Sequence, residues 1–298
     1  MSLKYIILGC GYLGYNITNI LQQNANEVRT LGLSSYYSEY LSDAFIEIDV
    51  FDFKRMNEYD FSETIVIDSL SFIQLNKKYE DEELVLRGII KRYQELLQFL
   101  QSKNIKRYVF LSSGGTVYGN VHKPAKEEDE LHPVNFYARS KVELEKLVKE
   151  SSLPYLLLRV SNPYGGLKDR SARQGVIEEM IYCALEGQTF HLWGSLENQR
   201  DFIHIEDFTK AIELLCSNAD SINSIFNLGS GEGYSIQLIK QLVEEASGKE
   251  ILMEHEELLQ AEISVIILDI TKLQKYTSFK PEVSMKDGIY REVHRKGH

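Results

Sequence analysis

The chain has 298 residues, a formal net charge of -11, 43% hydrophobic and 26% charged residues. That length supports one large domain or two interlocked ones with a real core, and the composition is that of a soluble globular protein. An acidic chain lacks the basic stripe a nucleic-acid surface needs, and no apolar run approaches the roughly 20 residues required to span a bilayer.

Taken in order, short apolar runs alternate with longer periodic segments. Residues 5–8, 28–33, 45–48, 64–67, 108–111 and 155–160 read as strands, and residues 15–23, 83–101 and 137–150 as helices. Such alternation predicts an α/β fold: a Rossmann-type, doubly wound parallel sheet covered on both faces. Beyond Asn162 the pattern loosens, with Gly187, Trp193-Gly194 and Gly229-Ser230-Gly231 as punctuation. The reading is a dinucleotide-binding domain over 1–162 and a smaller substrate-binding lobe over 163–298, with a helix near 204–217 returning to the first. Cys10, Cys183 and Cys216 are few, odd in number and without metal-ligand spacing, which suggests reduced thiols in cytoplasm and no metal. The N-terminus runs straight into a strand pattern without the shape of a signal peptide.

Gly9-Cys10-Gly11-Tyr12-Leu13-Gly14 follows the first strand and opens a helix. Glycines there permit a tight turn, close approach of backbone to a pyrophosphate, and close helix–strand packing. The helix N-terminus then offers unpaired N–H groups and a favourable dipole to the phosphates. Gly9, Gly11, Tyr12, Leu13 and Gly14 are therefore candidate cofactor contacts. The acidic residue that would grip the adenosine ribose is missing: the end of the second strand reads Gly32-Leu33-Ser34-Ser35. A small residue leaves space for a 2′-phosphate, with Ser34, Ser35 or Arg29 to bind it, so NAD and NADP both stay open. Asp49-Val50, after the third strand, is placed to meet the adenine; Asp52 is as readily a solvated loop acid.

Tyr137-Ala138-Arg139-Ser140-Lys141 puts a tyrosine and a lysine four apart on one helix face. An ammonium beside a phenol favours the phenolate, the state a general base needs to take a proton from a sugar hydroxyl. On solvated helices the same spacing is common, so its meaning depends on its surroundings.

Those surroundings, in order, are Gly9–Gly14, Leu111-Ser112-Ser113-Gly114-Gly115-Thr116-Val117-Tyr118-Gly119, the Tyr137–Lys141 pair, Leu158-Arg159-Val160-Ser161-Asn162-Pro163-Tyr164-Gly165, Arg200-Asp201-Phe202-Ile203-His204-Ile205-Glu206-Asp207, Phe226-Asn227-Leu228-Gly229-Ser230-Gly231 and Leu268-Asp269-Ile270. Together they resemble the extended short-chain dehydrogenase/reductases, specifically the NAD-dependent epimerase/dehydratases typified by UDP-glucose 4-epimerase. The resemblance implies an NAD(P)-dependent epimerase of a nucleotide-activated sugar. Tyr137 would be acid and base, and Lys141 would support its phenolate and bind the nicotinamide ribose. Ser112 would line the cofactor site. Asn162, Gln174, Val176 and Arg200 would bind substrate, Arg200 as a diphosphate clamp. A homodimer through the helices at 83–101 and 137–150 is also implied.

The departures matter as much. Gly114 stands where many relatives carry the catalytic Ser or Thr, so the hydroxyl falls to Thr116, with Ser113 next. Gly115 and Thr116 replace the Asp-Glu pair of the sugar dehydratases, which disfavours dehydration. Leu259-Gln260-Ala261-Glu262 replaces an Arg-Pro-x-Asp that supplies a second diphosphate contact. Ile67-Asp68-Ser69-Leu70 replaces a His-x-Ala-Ala, and Val85 a helix-interior Asn. His204 and Asp207 read as structural, and Trp193 as a core filler of the second lobe ahead of a base-stacking role. Two alternatives stay open: an NADPH-dependent reductase of a keto-sugar or other small carbonyl, and a non-catalytic cofactor-binding relative.

Overall fold

A computed structural model describes residues 3–73, 78–167, 175–256 and 263–295. In chain order the elements are β1 (Lys4–Leu8), α1 (Tyr12–Gln23), β2 (Glu27–Gly32), β3 (Phe45–Glu47), α2 (Phe53–Met56), β4 (Ile65–Asp68), α3 (Glu82–Gln101), β5 (Arg107–Ser113), α4 (Gly114–Val117), α5 (Phe136–Glu150), β6 (Tyr155–Val160) and β7 (Asn162–Tyr164). They continue with α6 (Val176–Glu186), β8 (Phe190–Trp193), β9 (Gln199–His204), α7 (Ile205–Ser217), β10 (Ser224–Leu228), β11 (Gly233–Ser235), α8 (Ile236–Ser247), β12 (Met253–Glu256), β13 (Val265–Ile266), α9 (Thr271–Thr277) and α10 (Met285–Val293).

The main sheet has seven strands in the order β10-β6-β5-β4-β1-β2-β3. Parallel pairing joins β3 to β2, β2 to β1, β1 to β4 and β4 to β5. This is the doubly wound order whose reversal between β1 and β4 opens a ligand crevice at the strands' carboxyl ends. All six expected strands and all three expected helices form, with ends shifted by a few residues. The seventh strand, β10, has five residues in a region whose periodicity reads as loop.

Cover on both faces explains the strands' near-continuous apolar sequence. In β4, Ile65, Val66 and Ile67 are fully buried and only Asp68 interrupts the run. Helix α3 buries Leu86, Ile89, Tyr93, Leu96, Leu97 and Leu100, the stripe its 3.6-residue period predicts. Its start is set by Asp81, whose carboxylate accepts from the Leu84 N–H at 2.9 Å, followed by Glu82 and Glu83 in the first turn. Helix α5 starts in the same way at Asn135, whose side chain accepts from Ala138 N–H at 2.8 Å.

Two compact units interleave along the chain. The first holds residues 1–113, 135–159 and 212–226; the second holds 114–134, 160–211 and 227–298. Residues 114–134 thus group with the later part of the chain, and 212–226, which include the second half of α7, with the earlier part. There the buried Arg107 guanidinium donates to Leu215 O at 2.7 Å, Asn218 O at 3.1 Å and Ser221 Oγ at 2.7 Å, closing the helix end. The second unit has its own core, in which Ile177, Met180, Cys183, Ile239, Val243 and Ile289 from α6, α8 and α10 pack together. Its small sheet centres on β9, paired with β7, β11 and β13, and β8 pairs with β12.

Candidate active site

In the first unit, β1 runs into the turn at Gly9–Gly11 and α1 begins at Tyr12. Gly9 has φ +96°, and its N–H donates to Leu31 O at 2.8 Å, tying the turn to β2. A Cβ on Gly14 would lie 2.1 Å from the Gly9 carbonyl oxygen and 2.7 Å from Ser69 Oγ, so α1 can seat on the turn only with glycine there. At Gly11 a Cβ would meet nothing within 4 Å, and as N-cap residue it supplies no side-chain bond to the helix. The start of α1 thus combines space at Gly11 with a positive helix end, which suits a pyrophosphate. Tyr12 and Leu13 are the half-buried first helical residues. Gly14→Ala is expected to cost about 1–3 kcal/mol of stability through overpacking and to abolish dinucleotide binding. Thermal unfolding with and without NAD checks both parts, because only the wild type should gain stability from the ligand.

Gly32 has a different reason from the one its sequence position suggests. A Cβ there would sit 3.1 Å from Cys10 N and 3.3 Å from Gly9 Cα, so the missing side chain lets β2 pass close beneath the turn. The candidate 2′-phosphate ligands also thin out. Ser35 Oγ donates to Cys10 O at 2.5 Å, and Arg29 pairs with Ile6 in mid-strand, three residues before the strand end. Ser34 alone of the three stays exposed at that end. Asp49 accepts from Phe51 N at 3.0 Å in an exposed turn and Val50 is buried beneath it, while Asp52 caps α2 through Arg55 N at 3.2 Å.

Tyr137 and Lys141 share one face of α5. Tyr137 is half-buried, and the buried Lys141 places its Nζ 5.8 Å from the Tyr137 ring centroid and 5.0 Å from that of Phe110. The ammonium donates to Leu111 O at 2.9 Å. Both residues line a crevice with Leu70, Phe72, Tyr93 and Ser140. One turn further along, Glu145 accepts from Arg159 Nε at 3.1 Å and Nη2 at 2.8 Å, with both side chains almost wholly buried. Ser112 Oγ donates to the same carboxylate at 2.6 Å. The Ser112 hydroxyl is engaged by the core pair, and its backbone is what it would offer a cofactor. Ser113, at the end of β5, is half-buried.

Asp68 ends β4 with its carboxylate buried. Oδ2 accepts from Tyr108 Oη at 2.6 Å and Oδ1 from Leu70 N at 2.8 Å. Burial pushes this carboxyl up from its ordinary range, while the Tyr108 hydroxyl, the Lys141 ammonium and the Leu70 N–H act in the opposite direction.

In the second unit, Thr116 lies half-buried in the four-residue α4. The neighbouring Gly115 packs against the Asn162 amide, which a Cβ would approach to 3.5 Å. Asn162 Nδ2 donates to Asp201 O at 2.8 Å, and Arg200 donates from Nη1 to Gln199 O at 3.0 Å and Ser264 O at 3.3 Å. Val176 is the first residue of α6, behind Gly175. Gln174 and the 259–262 stretch lie outside the described residues.

His204 and Asp207 have backbone-bonding roles. His204 Nδ1 accepts from Glu206 N at 3.4 Å, and Asp207 takes Glu282 N at 3.0 Å and Val283 N at 2.9 Å. Trp193 is not a core residue: it is 59% exposed, because β8 alternates Phe190 and Leu192 inward with His191 and Trp193 outward. On that exposed face, His191, Glu254 and Glu256 bring three ligand-type atoms within 4.8 Å, with His191 Nδ1 paired to Glu256 at 2.8 Å; residue spacing alone did not point to this group.

The residue that organises this unit is Asp201, present in the sequence motif but given no role there. Its buried carboxylate accepts from Ser230 N at 2.8 Å, Ser230 Oγ at 3.0 Å, Gly231 N at 3.1 Å and Leu268 N at 3.3 Å. Burial outweighs these donors and pushes it up to about 6. A carboxyl raised in the folded state contributes stability that is complete below its unfolded value and is lost as pH rises through the folded one. Asp201 should therefore cost about 3 kcal/mol between roughly pH 4 and pH 6 relative to Asp201→Asn, which lacks that titration. Denaturant unfolding of both proteins across this range measures the difference.

The family model for the NAD dependent epimerase/dehydratase family matches residues 5–229, well over half of the chain. The chain belongs to this family. Among similar curated proteins, the dTDP-4-dehydro-6-deoxyglucose reductase of Escherichia coli is 32% identical over 195 residues, 64% of this chain and 61% of that one. The putative UDP-glucose 4-epimerase of Methanocaldococcus jannaschii is 28% identical over 96% of this chain and 95% of its own length. Among solved structures, the UDP-glucose 4-epimerase of Thermotoga maritima with UDP-glucose superposes with a TM-score of 0.88 at 25% identity, covering 98% and 97% of the two chains. Among the described residues no helix is long and apolar enough to cross a membrane.

Proposed function

We propose that this family member is an NAD-dependent epimerase of a nucleotide-activated sugar, working through transient oxidation of one ring carbon. The observation that carries the reading is the Tyr137–Lys141 pair lining a crevice in the unit that also holds the glycine turn. Bound NAD supplies the hydride acceptor and donor. Gly9, Gly11 and Gly14 and the start of α1 hold its pyrophosphate, with Asp49 and Val50 towards the adenine. Tyr137 takes the proton of the reacting hydroxyl and returns it after the ring has turned over, so there is no net redox change. The Lys141 ammonium stabilises the phenolate formed between those steps. Thr116, or Ser113 after it, donates to the reacting oxygen, and Asn162, Gln174, Val176 and Arg200 bind the substrate, Arg200 through its diphosphate. The proposal includes a homodimer through α3 and α5 and a cytoplasmic location, consistent with three buried cysteines that form no disulfide.

A second reading, reduction of a keto-sugar, is favoured by the 32% identity to a reductase acting on a dTDP-linked keto-sugar. It has less support on the cofactor side, where Ser35 Oγ donates to Cys10 O and Arg29 stands in mid-strand, three residues before the end of β2. Mass spectrometry of the nucleotide released from purified protein should find NAD. Absence of any affinity for NAD or NADP would overturn both readings.

A further inference from the structure

Asp68 has no place in the chemistry set out above, yet its geometry ties it to that chemistry. It stands at the carboxyl end of β4, next to β5 in the sheet, and pairs in register with Phe110, the residue whose ring lies under the Lys141 ammonium at 5.0 Å. Both carboxyl oxygens are engaged, Leu70 N–H on one at 2.8 Å and Tyr108 O–H on the other at 2.6 Å, while burial opposes the charged form. The groups that face it are Tyr108 from β5, Tyr93 from α3 and Lys141 from α5. Tyr93 is fully buried and its hydroxyl stops short of a normal hydrogen bond, although it lies within electrostatic reach of both Asp68 and Tyr137. Among the described residues Lys141 is the cation acting on this carboxyl, and its ammonium works against the burial that raises it.

We propose that Asp68 is a positioning residue of the Tyr137–Lys141 pair: a buried carboxylate that balances the Lys141 ammonium and limits how strongly that ammonium acts on the Tyr137 phenol. The assignment rests on the acid/base reading of Tyr137 given above. The same ammonium field reaches both the Asp68 carboxylate and a phenol at the crevice. With Asp68 charged, part of that field is cancelled at the phenol, and the lysine is held towards Leu111 and the sheet. Removing the charge leaves the ammonium's field at Tyr137 uncompensated, and the phenolate becomes easier to form.

The test is a near-ultraviolet tyrosinate titration of the intact protein without added substrate. Wild type and Asp68→Asn are each compared with the same protein carrying Tyr137→Phe, so that the difference isolates Tyr137. Tyr137 should ionise at a pH lower by about half a unit or more in Asp68→Asn, roughly a threefold or larger change in proton affinity. If Asp68→Asn does not fold, Asp68→Leu combined with Tyr108→Phe removes carboxylate and hydroxyl together, and the same shift is expected. An unchanged midpoint, or one moved to higher pH, would overturn the assignment. Because the titration needs neither cofactor nor substrate, failure of the epimerase reading leaves its outcome interpretable. An active epimerase with no titration shift would remove Asp68's role and nothing else. If activity is found, the acid limb of the pH–rate profile should move in the same direction.

Discussion

Tyr137→Phe should lower turnover by about 10²–10⁴-fold, the range over which a positioned acid/base contributes, while NAD still binds. The substitution removes a single oxygen and leaves the ring that packs against the first-unit core. None of the groups that make the dinucleotide turn, Gly9 to Gly14 and the start of α1, touches that oxygen, so the cofactor-induced gain in thermal stability should persist. Lys141→Met should be as damaging to turnover, since it removes the ammonium that supports the phenolate, and it should weaken cofactor binding as well. The contrast separates a proton-transfer role from a binding role. Equal loss of cofactor affinity in both variants would mean that Tyr137 is a contact and not an acid/base. Wild-type turnover in Tyr137→Phe would refute its assignment outright.

The largest effect on stability is expected one turn further along the same helix. Glu145→Ala should cost about 3–5 kcal/mol, because it leaves Arg159 buried without its partner. The Glu145–Arg159 pair is almost fully excluded from solvent and accepts Ser112 as a third member, so one carboxylate fastens α5 to both β5 and β6. Tyr137, Lys141 and Glu145 are spaced four apart, which puts them along a single face. The ion pair thus sets the rotation and height at which Tyr137 and Lys141 are presented. Denaturant unfolding should show the loss directly. The combined Glu145→Leu, Arg159→Met change should recover much of it, since a buried pair replaced by apolar groups of similar volume is often neutral. A Glu145→Ala protein as stable as wild type would mean that water reaches this pair.

What was legible in the sequence follows from the period of each segment. The buried strands from 5–8 to 155–160 are continuous apolar runs because helices cover both faces of the sheet, and α3 and α5 repeat at helical spacing over four or more turns. The second unit gave less, because β7, β11 and β13 have only two or three residues each and pair with β9 across long stretches of sequence. β10 shows the limit: five residues with no repeat join a sheet assembled almost wholly from the first half of the chain. Trp193 shows a missed rule of a simpler kind. Phe190-His191-Leu192-Trp193 alternates, and a period of two places the tryptophan on the exposed face with His191. Gly32 and Asp201 lay beyond reach for another reason. The first is constrained by the Gly9–Cys10 backbone and the second by donors from residues 230, 231 and 268, and no local pattern encodes contacts that only the folded chain creates.

The site has the same division. Tyr137 and Lys141 were readable because helical spacing alone brings them together. The status of Ser112 was not, since its commitment to Glu145 depends on how α5 docks on β5. Asp68 was visible only as a departure from a family pattern, and its partners Tyr108, Tyr93 and Lys141 come from three separate elements.

The central claim is oxidation without net redox, and one incubation tests it most directly. Purified protein with NAD is mixed with a panel of UDP- and dTDP-linked hexoses, while nicotinamide absorbance and the sugar products are followed together. An epimer should form from at least one of them, with no lasting change in absorbance. Consumption of NADPH in step with reduction of a keto-sugar, with no epimer formed from any hexose, would contradict it.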